Sequence, residues 1–204
     1  MPELLPALSE RRAKRAFNGR PVPPDVQDLL WQAVSVAPSQ GNSQPTRILV
    51  AESPDARERL IAALSDGNRQ WAPAAPLLCA FVANPSHDLV RVNSDGSERE
   101  LWAFDAGIAA GNLMAEATVL GLTAHPMTAF DEPAVRAAFQ APDEVRVLAV
   151  VAIGYPGSPE TLPPDLQKRE SMPQRRLPIS ALVGKDAWKP EMAVNASELR
   201  KPRS

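Results

Sequence analysis

The segment that most constrains the fold is Pro76–Ala83, which is apolar over the whole length of a typical strand. Side chains of a strand alternate between its two faces, so an uninterrupted apolar run has to be covered on both of them. Val145–Ile153 is a second apolar run of strand length, and Gly154 and Pro156 end it. We therefore expect a sheet in which at least one strand is buried on both sides.

Helical patterns occur before and between these runs. A helix is expected to begin at Pro23 and to stop at Pro38, because apolar residues recur from Val26 at helical spacing. Ser53 is a suitable N-cap for another helix, which the pair Gly67–Asn68 is expected to end.

Further short elements are expected on either side of these helices. Residues 1–17 have the pattern of a short helix that ends in a basic run, and Asp131 is expected to cap a helix that extends to about Phe139. Arg47–Ala51 and Leu122–Pro126 have the length and composition of short strands.

The longest helix is expected over Glu98–Gly121, and small residues are unusually frequent in it. Gly107 and Gly111 stand one turn apart among several alanines. Small side chains allow helices to approach closely, so this helix is expected to be central or to lie at a subunit interface.

The composition and the hydrophobic pattern of the chain change at Pro156. Prolines recur from there onward and the hydrophobic periodicity is weak, which favours an extended arm over a second domain. The expected organisation is a core of residues 1–155 followed by an arm of residues 156–204.

Composition excludes several classes of site. The 204 residues include one cysteine and two histidines, so we expect no disulfide framework, zinc cluster or other metal site. The net charge of -2 argues against a chain devoted to nucleic acid. Because neither a secretory signal nor a run of roughly 20 apolar residues is evident, we expect a cytoplasmic protein that does not enter a membrane.

Common catalytic and nucleotide motifs are absent from the sequence. It contains no G-x-G-x-x-G, no phosphate loop of the G-x-x-x-x-G-K type and no G-x-S-x-G elbow. Cys79 lies inside an apolar run and is expected to be a buried, inert thiol. His87 is expected to be solvated, and His125 to be packed or hydrogen-bonded.

Two polar clusters remain as candidates for binding. The run from Arg11 to Arg15 carries four cations, which suit an anionic group, although a solvated helix face would have the same composition. The segment Ala37–Pro45 is either a polar turn or a source of amides and hydroxyls for a heterocycle and its polyol tail.

These clusters, taken with the motifs that follow them, resemble the flavin-dependent nitroreductase family over roughly residues 9–185. The resemblance begins with the run from Arg11 to Phe17 and with the segment from Ala37 to Pro45. It continues in the same order with Gly67-Asn68, Ala75-Pro76, Asp105-Ala-Gly107, Gly121-Leu122, Met127-Thr128-Ala129-Phe130-Asp131, Ile153-Gly154-Tyr155-Pro156 and Arg175-Arg176-Leu177-Pro178.

The resemblance implies an α+β fold of the nitroreductase type. Members have a mostly antiparallel sheet flanked by helices, with a long central helix at an extensive homodimer interface. Two FMN molecules lie in that interface, and the C-terminal arm of each subunit crosses to its partner. The arm of residues 156–204 would thus contribute to the dimer and to the phosphate site.

Carried over by position, the resemblance assigns flavin-binding residues from several segments. Arg11 would contact the FMN phosphate and Arg15 the pyrimidine edge, where a cation stabilises the charge of the reduced ring. The other positions near these two are Arg12, Ala13, Asn68, Gln70, Met127, Thr128 and Ala129. Arg176 would close the phosphate site from the arm. The positions that would reach the partner's flavin are Pro38, Ser39, Gln40 and Asn42.

The sequence departs from the family pattern at three places. Ala13 replaces a usual serine, and Thr128 stands where some members carry glutamate. The polar segment 84–100 is short for a substrate lid.

The activity implied is FMN-dependent NAD(P)H oxidoreduction. NADH or NADPH would deliver a hydride, and a nitroaromatic, quinone or related small molecule would take the electrons in a ping-pong cycle. We assign no protein acid or base. One alternative is a specialised reductase that performs dehalogenation or flavin fragmentation. Another is a non-catalytic flavin- or RNA-binding protein that uses the basic run and the tail Arg200–Arg203.

Overall fold

An antiparallel sheet with helices on both faces forms the body of the protein, as seen in a computed structural model that describes residues 3–195. The strands are β1 (Thr46–Val50), β2 (Leu77–Ala83), β3 (Arg91–Val92), β4 (Glu98–Arg99), β5 (Thr123–Met127) and β6 (Arg146–Gly154). The main sheet has the order β1-β2-β6-β5, and β3 pairs with β4 in a separate hairpin.

The central position of β2 explains its apolar sequence. Every residue of the strand is buried, as predicted. Alternate side chains enter two different hydrophobic clusters, which define the two faces of the sheet. Leu78 and Ala80 point to what we call the first face, and Leu77 and Cys79 point to the second face. Cys79 is buried, as predicted, and burial raises the pKa of its thiol to about 12, which disfavours the reactive thiolate.

Helices cover both faces of the sheet. They are α1 (Pro6–Ser9), α2 (Pro24–Ser35), α3 (Pro54–Ala62), α4 (Asp66–Arg69), α5 (Trp102–Val119), α6 (Glu132–Ala138) and α7 (Pro164–Glu170). Short 3-10 turns occur at Gln40–Asn42, Ala72–Ala74, Pro85–His87, Pro159–Thr161, Ile179–Ala181 and Pro190–Ala193. Leu60 of α3 and Val135 of α6 pack on the first face, whereas Leu30 of α2 and Leu113 of α5 pack on the second.

Two helix starts agree with the caps expected from the sequence. The Ser53 hydroxyl accepts a hydrogen bond from the amide of Ala56 at 3.1 Å, at the start of α3. The Asp131 carboxylate accepts one from the amide of Ala134 at 3.2 Å, at the start of α6. Each bond satisfies an amide that the first turn of a helix leaves without a partner.

The prediction of a helix over residues 1–17 was wrong for most of that range. In the described part, α1 ends at Ser9, and the following basic run is not helical. Its backbone groups instead bond to side chains more than a hundred positions away, among them Thr123 and Glu170. No local pattern indicates such partners.

Two other predicted boundaries need correction. The helix that begins after Ser53 ends at Ala62, and Gly67 and Asn68 lie inside the separate helix α4. The long helix begins at Trp102 rather than at Glu98, because Glu98–Arg99 pairs with Arg91–Val92. The Asp88 carboxylate accepts hydrogen bonds from the amides of Leu101 and Trp102 at 2.6 and 3.2 Å, which fixes the new start.

The chain divides into two compact units, one extending to Glu170 and the other beginning at Ser171. Residues 156–170 of the expected arm, with α7, therefore group with the larger unit. Exchange of the arm between subunits stays a prediction, and the basic tail Arg200–Arg203 lies outside the described residues. In residues 3–195 no helix is long and apolar enough to cross a membrane. The same residues contain no group of three or more acidic, histidine or cysteine side chains arranged to hold a metal ion.

Candidate functional site

The basic segment, residues 11–17, is held beside β5 by side-chain contacts. The Thr123 hydroxyl donates to the carbonyl of Arg12 at 2.7 Å and accepts from the amide of Lys14 at 3.2 Å. Nδ1 of His125 lies 3.0 Å from the carbonyl oxygen of Lys14. A carbonyl oxygen can only accept, so Nδ1 carries the proton in this contact.

The buried carboxylate of Glu170, the last residue of the larger unit in the sequence, also holds the basic segment. Oε1 of Glu170 accepts hydrogen bonds from the amides of Arg15 and Ala16 at 2.7 and 3.2 Å. Its Oε2 lies 3.5 Å from the guanidinium of Arg15. The Glu170 side chain is 3% exposed, whereas that of Arg15 is 25% exposed. Arg15 is therefore fixed at its base while one side of it still faces solvent.

Aromatic rings pack against the basic segment. Trp71 is buried, and the centre of its ring lies 4.5 Å from the centre of the His125 ring and 6.3 Å from that of the Phe17 ring. The guanidinium carbon of Arg15 lies 5.9 Å from the centre of the Trp71 ring. Burial outweighs the hydrogen bond to Lys14 and lowers the pKa of His125, so the imidazole is neutral at pH 7. The expectation of a packed, hydrogen-bonded histidine is confirmed.

A second group of predicted residues lies where β5 ends. Met127 is buried in the cluster on the first face, and Thr128 and Ala129 are exposed just beyond it. Nδ2 of Asn68 donates to the carbonyl of Ala129 at 3.2 Å. Gln70 is exposed and directly precedes Trp71 in the chain. The structure thus brings the residues of α4, the end of β5 and the basic segment to one neighbourhood.

The third group is the polar loop, residues 38–44, which lies next to α5 on the second face. The backbone amide of Gln40 donates to Oδ2 of Asp105 at 3.0 Å, and Asp105 is only 3% exposed. Ser39 Oγ accepts from the amide of Gln44 at 2.9 Å. The backbone turns through positive φ at Gly41 and Asn42, and a Cβ at Gly41 would overlap the side chain of Leu89.

The polar loop has buried polar groups that lack hydrogen-bond partners among residues 3–195. Within the described residues, neither Nε2 nor Oε1 of Gln40 has a hydrogen-bond partner although both atoms are buried, and the same is true of Ser43 Oγ. The loop forms one wall of a cavity of about 250 Å³, which Trp31 of α2 and Ala109 of α5 also line. Buried polar atoms of this kind are costly unless a ligand, water or another chain satisfies them.

The predicted site residues therefore fall into two sets. The end of the basic segment from Arg15 to Phe17, Asn68 and residues 127–129 lie toward the first face, whereas Arg12 and Lys14 line a pocket with Thr118 of α5 beside the edge strand β5. The polar loop lies beside α2 and α5 on the second face. Arg176 belongs to the smaller unit, where it is exposed and donates to the carbonyl of Arg175 at 2.9 Å.

The nitroreductase family profile matches residues 8–155, which include the basic segment, the polar loop, α5 and the end of β5. The chain belongs to the nitroreductase family. Glu170 and Arg176 lie beyond the matched range.

Relatives of this family member cover most of its length. It is 32% identical to a Streptomyces coelicolor protein that carries the provisional name NADH dehydrogenase/NAD(P)H nitroreductase, over 72% of this chain and 82% of the relative. It is 29% identical to a Bacillus subtilis protein named FMN reductase, NAD(P)H, over 81% of this chain and 71% of that protein. The crystal structure of an oxidoreductase containing FMN matches with a TM-score of 0.80 at 29% identity, covering 92% of this chain and 94% of that one.

Sequence reasoning missed the residues that hold the basic segment, Thr123, Trp71 and Glu170. Glu170 is the least obvious of them. It stands in the polar stretch from Lys168 to Glu170, which has the composition of a solvated helix end. No motif or spacing relates it to the basic segment, so only the tertiary structure reveals the contact.

Proposed function

We propose that this nitroreductase family member is an FMN-dependent NAD(P)H oxidoreductase that works as a homodimer. It reduces a small-molecule acceptor, such as a nitroaromatic compound or a quinone, in a ping-pong cycle. The observation that carries the proposal is the family match over residues 8–155, because that range contains both sets of candidate flavin-binding residues. The relatives named as an FMN reductase and an FMN-containing oxidoreductase support the choice of cofactor.

The residues present fit FMN. The basic segment offers cations for the phosphate and for the electron-rich pyrimidine edge, and we assign these roles to Arg11 and Arg15. The resemblance to the family assigns Arg176 of the arm to the phosphate as well. The side-chain amide of Gln40, which lacks partners among the described residues, offers both a donor and an acceptor to a heterocycle. We assign the rest of the contact between the polar loop and the flavin to Pro38, Ser39 and Asn42. The opposite side of the flavin is assigned to Arg12, Ala13, Asn68, Gln70, Met127, Thr128 and Ala129.

The separation of the polar loop from Arg15 supports a site shared by two chains. The polar loop lies on the second face, whereas Arg15 packs beside Trp71 of the first-face cluster. A partner subunit would present its own polar loop to the basic segment of this chain. This is the division of roles that the resemblance to the family implies.

The solvent-facing side of α5 supports the homodimer independently. Its exposed residues are small or apolar, and Phe104 and Val119 are 65% and 67% exposed. A Cβ added at Gly107 or Gly111 would meet nothing within 4 Å in the part of the chain that the structure describes. The chain's own packing therefore does not require glycine at either position, whereas close approach of a second α5 would.

The protein's contribution to the reaction is binding and charge. The chemistry that FMN supplies when bound is two-electron transfer between a nicotinamide and the acceptor. Arg15, fixed by Glu170 and Trp71, provides positive charge at the pyrimidine edge. Thr128 offers no carboxylate at the end of β5, so we assign no protein acid or base there.

Steady-state kinetics test this proposal. With NADH or NADPH varied at several concentrations of a quinone or nitrofuran, double-reciprocal plots should be parallel, because donor and acceptor occupy the same site in turn. Under anaerobic conditions the donor alone should bleach the absorbance of the bound flavin. Intersecting lines would rule out the ping-pong cycle, and flavin that no nicotinamide bleaches would rule out the oxidoreductase.

A further inference from the structure

Glu170 is the last residue of α7 and has an unusual environment for that position. The C-terminal end of a helix carries partial negative charge, so a carboxylate is disfavoured there. Burial disfavours the charge further, and the Glu170 side chain is only 3% exposed. Both costs need compensation from elsewhere in the fold.

That compensation comes from the basic segment. Oε1 of Glu170 accepts from the amides of Arg15 and Ala16, and Oε2 lies 3.5 Å from the Arg15 guanidinium. One carboxylate thus holds two successive backbone amides and the cationic side chain of the first. A residue with these contacts controls both the position of Arg15 and its effective charge.

We propose that Glu170 is a positioning residue of the flavin site, which fixes Arg15 and offsets part of its charge so that the bound flavin is harder to reduce. The inference rests on the proposed function, since it takes Arg15 to be at the pyrimidine edge of FMN. Glu170 does not contact the flavin in this account. It acts through Arg15.

The electrostatic consequence has a definite sign. A cation at the pyrimidine edge favours the reduced, anionic ring over the oxidised, neutral one. A carboxylate beside that cation opposes the effect. Removing the charge of Arg15 should therefore lower the two-electron potential, whereas removing the charge of Glu170 should raise it.

The other groups around Arg15 do not change this sign. His125 is neutral at pH 7, and Trp71 contributes only its ring. Lys14 is exposed and contacts this region through its backbone amide and carbonyl. Glu170 is thus the carboxylate that balances Arg15.

The first test measures reduction potentials of flavin-saturated protein by dye equilibration. Glu170→Gln keeps an oxygen that can accept from the two amides and removes the charge. We expect it to favour reduced over oxidised flavin by about tenfold more than the wild type, a rise of roughly 30 mV for a two-electron couple. Arg15→Gln should shift the potential in the opposite direction.

Two comparisons separate positioning through Arg15 from a general change in charge. Glu160→Gln removes an exposed carboxylate from the same part of the chain and should leave the potential unchanged. In an Arg15→Gln background, Glu170→Gln should have a much smaller effect than in the wild type. An unchanged or lowered potential in Glu170→Gln, or an equal rise in both backgrounds, would overturn the proposal.

The second test needs no flavin and so remains informative if the cofactor is misassigned. In flavin-free protein, Glu170→Ala should speed hydrogen exchange at the amides of Arg15 and Ala16, while Glu170→Gln should largely keep their protection. Thermal melts identify any variant that has lost its fold. Unchanged exchange in folded Glu170→Ala would refute the positioning role, whereas a wild type that binds no FMN would refute the proposed function instead.

Discussion

Gly111→Leu is expected to split the proposed homodimer and to release FMN with it. The position is exposed on α5, and a Cβ there would meet nothing within 4 Å among residues 3–195, so we expect the monomer to accommodate the larger side chain. Where a second α5 packs against it, overpacking costs about 1–3 kcal/mol per site, and a two-fold axis applies that cost twice. The dimer dissociation constant should rise by roughly 30-fold or more.

Light scattering combined with the flavin absorbance of the eluting protein measures both effects at once. We expect the wild type to elute as a yellow dimer and Gly111→Leu to elute, at the same concentration, as a monomer without flavin. Glu58→Leu is the matched control, because it places the same side chain on an exposed position of α3, which covers the first face of the sheet. A Gly111→Leu protein that remains a flavin-loaded dimer would place the interface elsewhere on the molecule.

Arg11→Ala is expected to weaken FMN binding by roughly ten- to a hundredfold. This corresponds to the loss of one charge-assisted hydrogen bond to the phosphate, about 1.5–3 kcal/mol. Riboflavin has the same ring and ribityl chain without the phosphate, so its affinity should change little. Fluorescence titrations of flavin-free protein with the two ligands measure the difference directly.

An exposed arginine outside the proposed site provides the control for Arg11→Ala. Arg59 of α3 pairs with Asp55 and donates to the carbonyl of Ala138, so Arg59→Ala removes an equal charge away from the basic segment. Both ligands should bind this variant as they bind the wild type. Equal losses of FMN and riboflavin affinity in Arg11→Ala would show that Arg11 does not contact the phosphate.

The parts of the fold that were predictable from sequence depend on local patterns. The run at β2 is apolar at consecutive positions, and it is buried on both faces as expected. Ser53 and Asp131 cap their helices because the cap and the amide it satisfies are three residues apart. Such contacts follow from neighbouring residues alone.

The parts that were not predictable depend on contacts between distant segments. The basic run was expected to be helical, but Thr123 and Glu170 hold its backbone in a non-helical path. The motifs resembling the family indicated which residues to consider for the flavin. They gave no indication of Glu170, and the separation of the polar loop from the basic segment emerged only with the packing of the sheet.

The identity of the bound chromophore tests the central claim most directly. Protein purified after reconstitution with a mixture of FMN, FAD and riboflavin can be denatured with acid, and the released flavin identified by chromatography and counted against the protein. We predict FMN alone, at one molecule per chain, in a protein whose mass by light scattering is that of a dimer. Release of FAD, or of no flavin at all, would contradict the account.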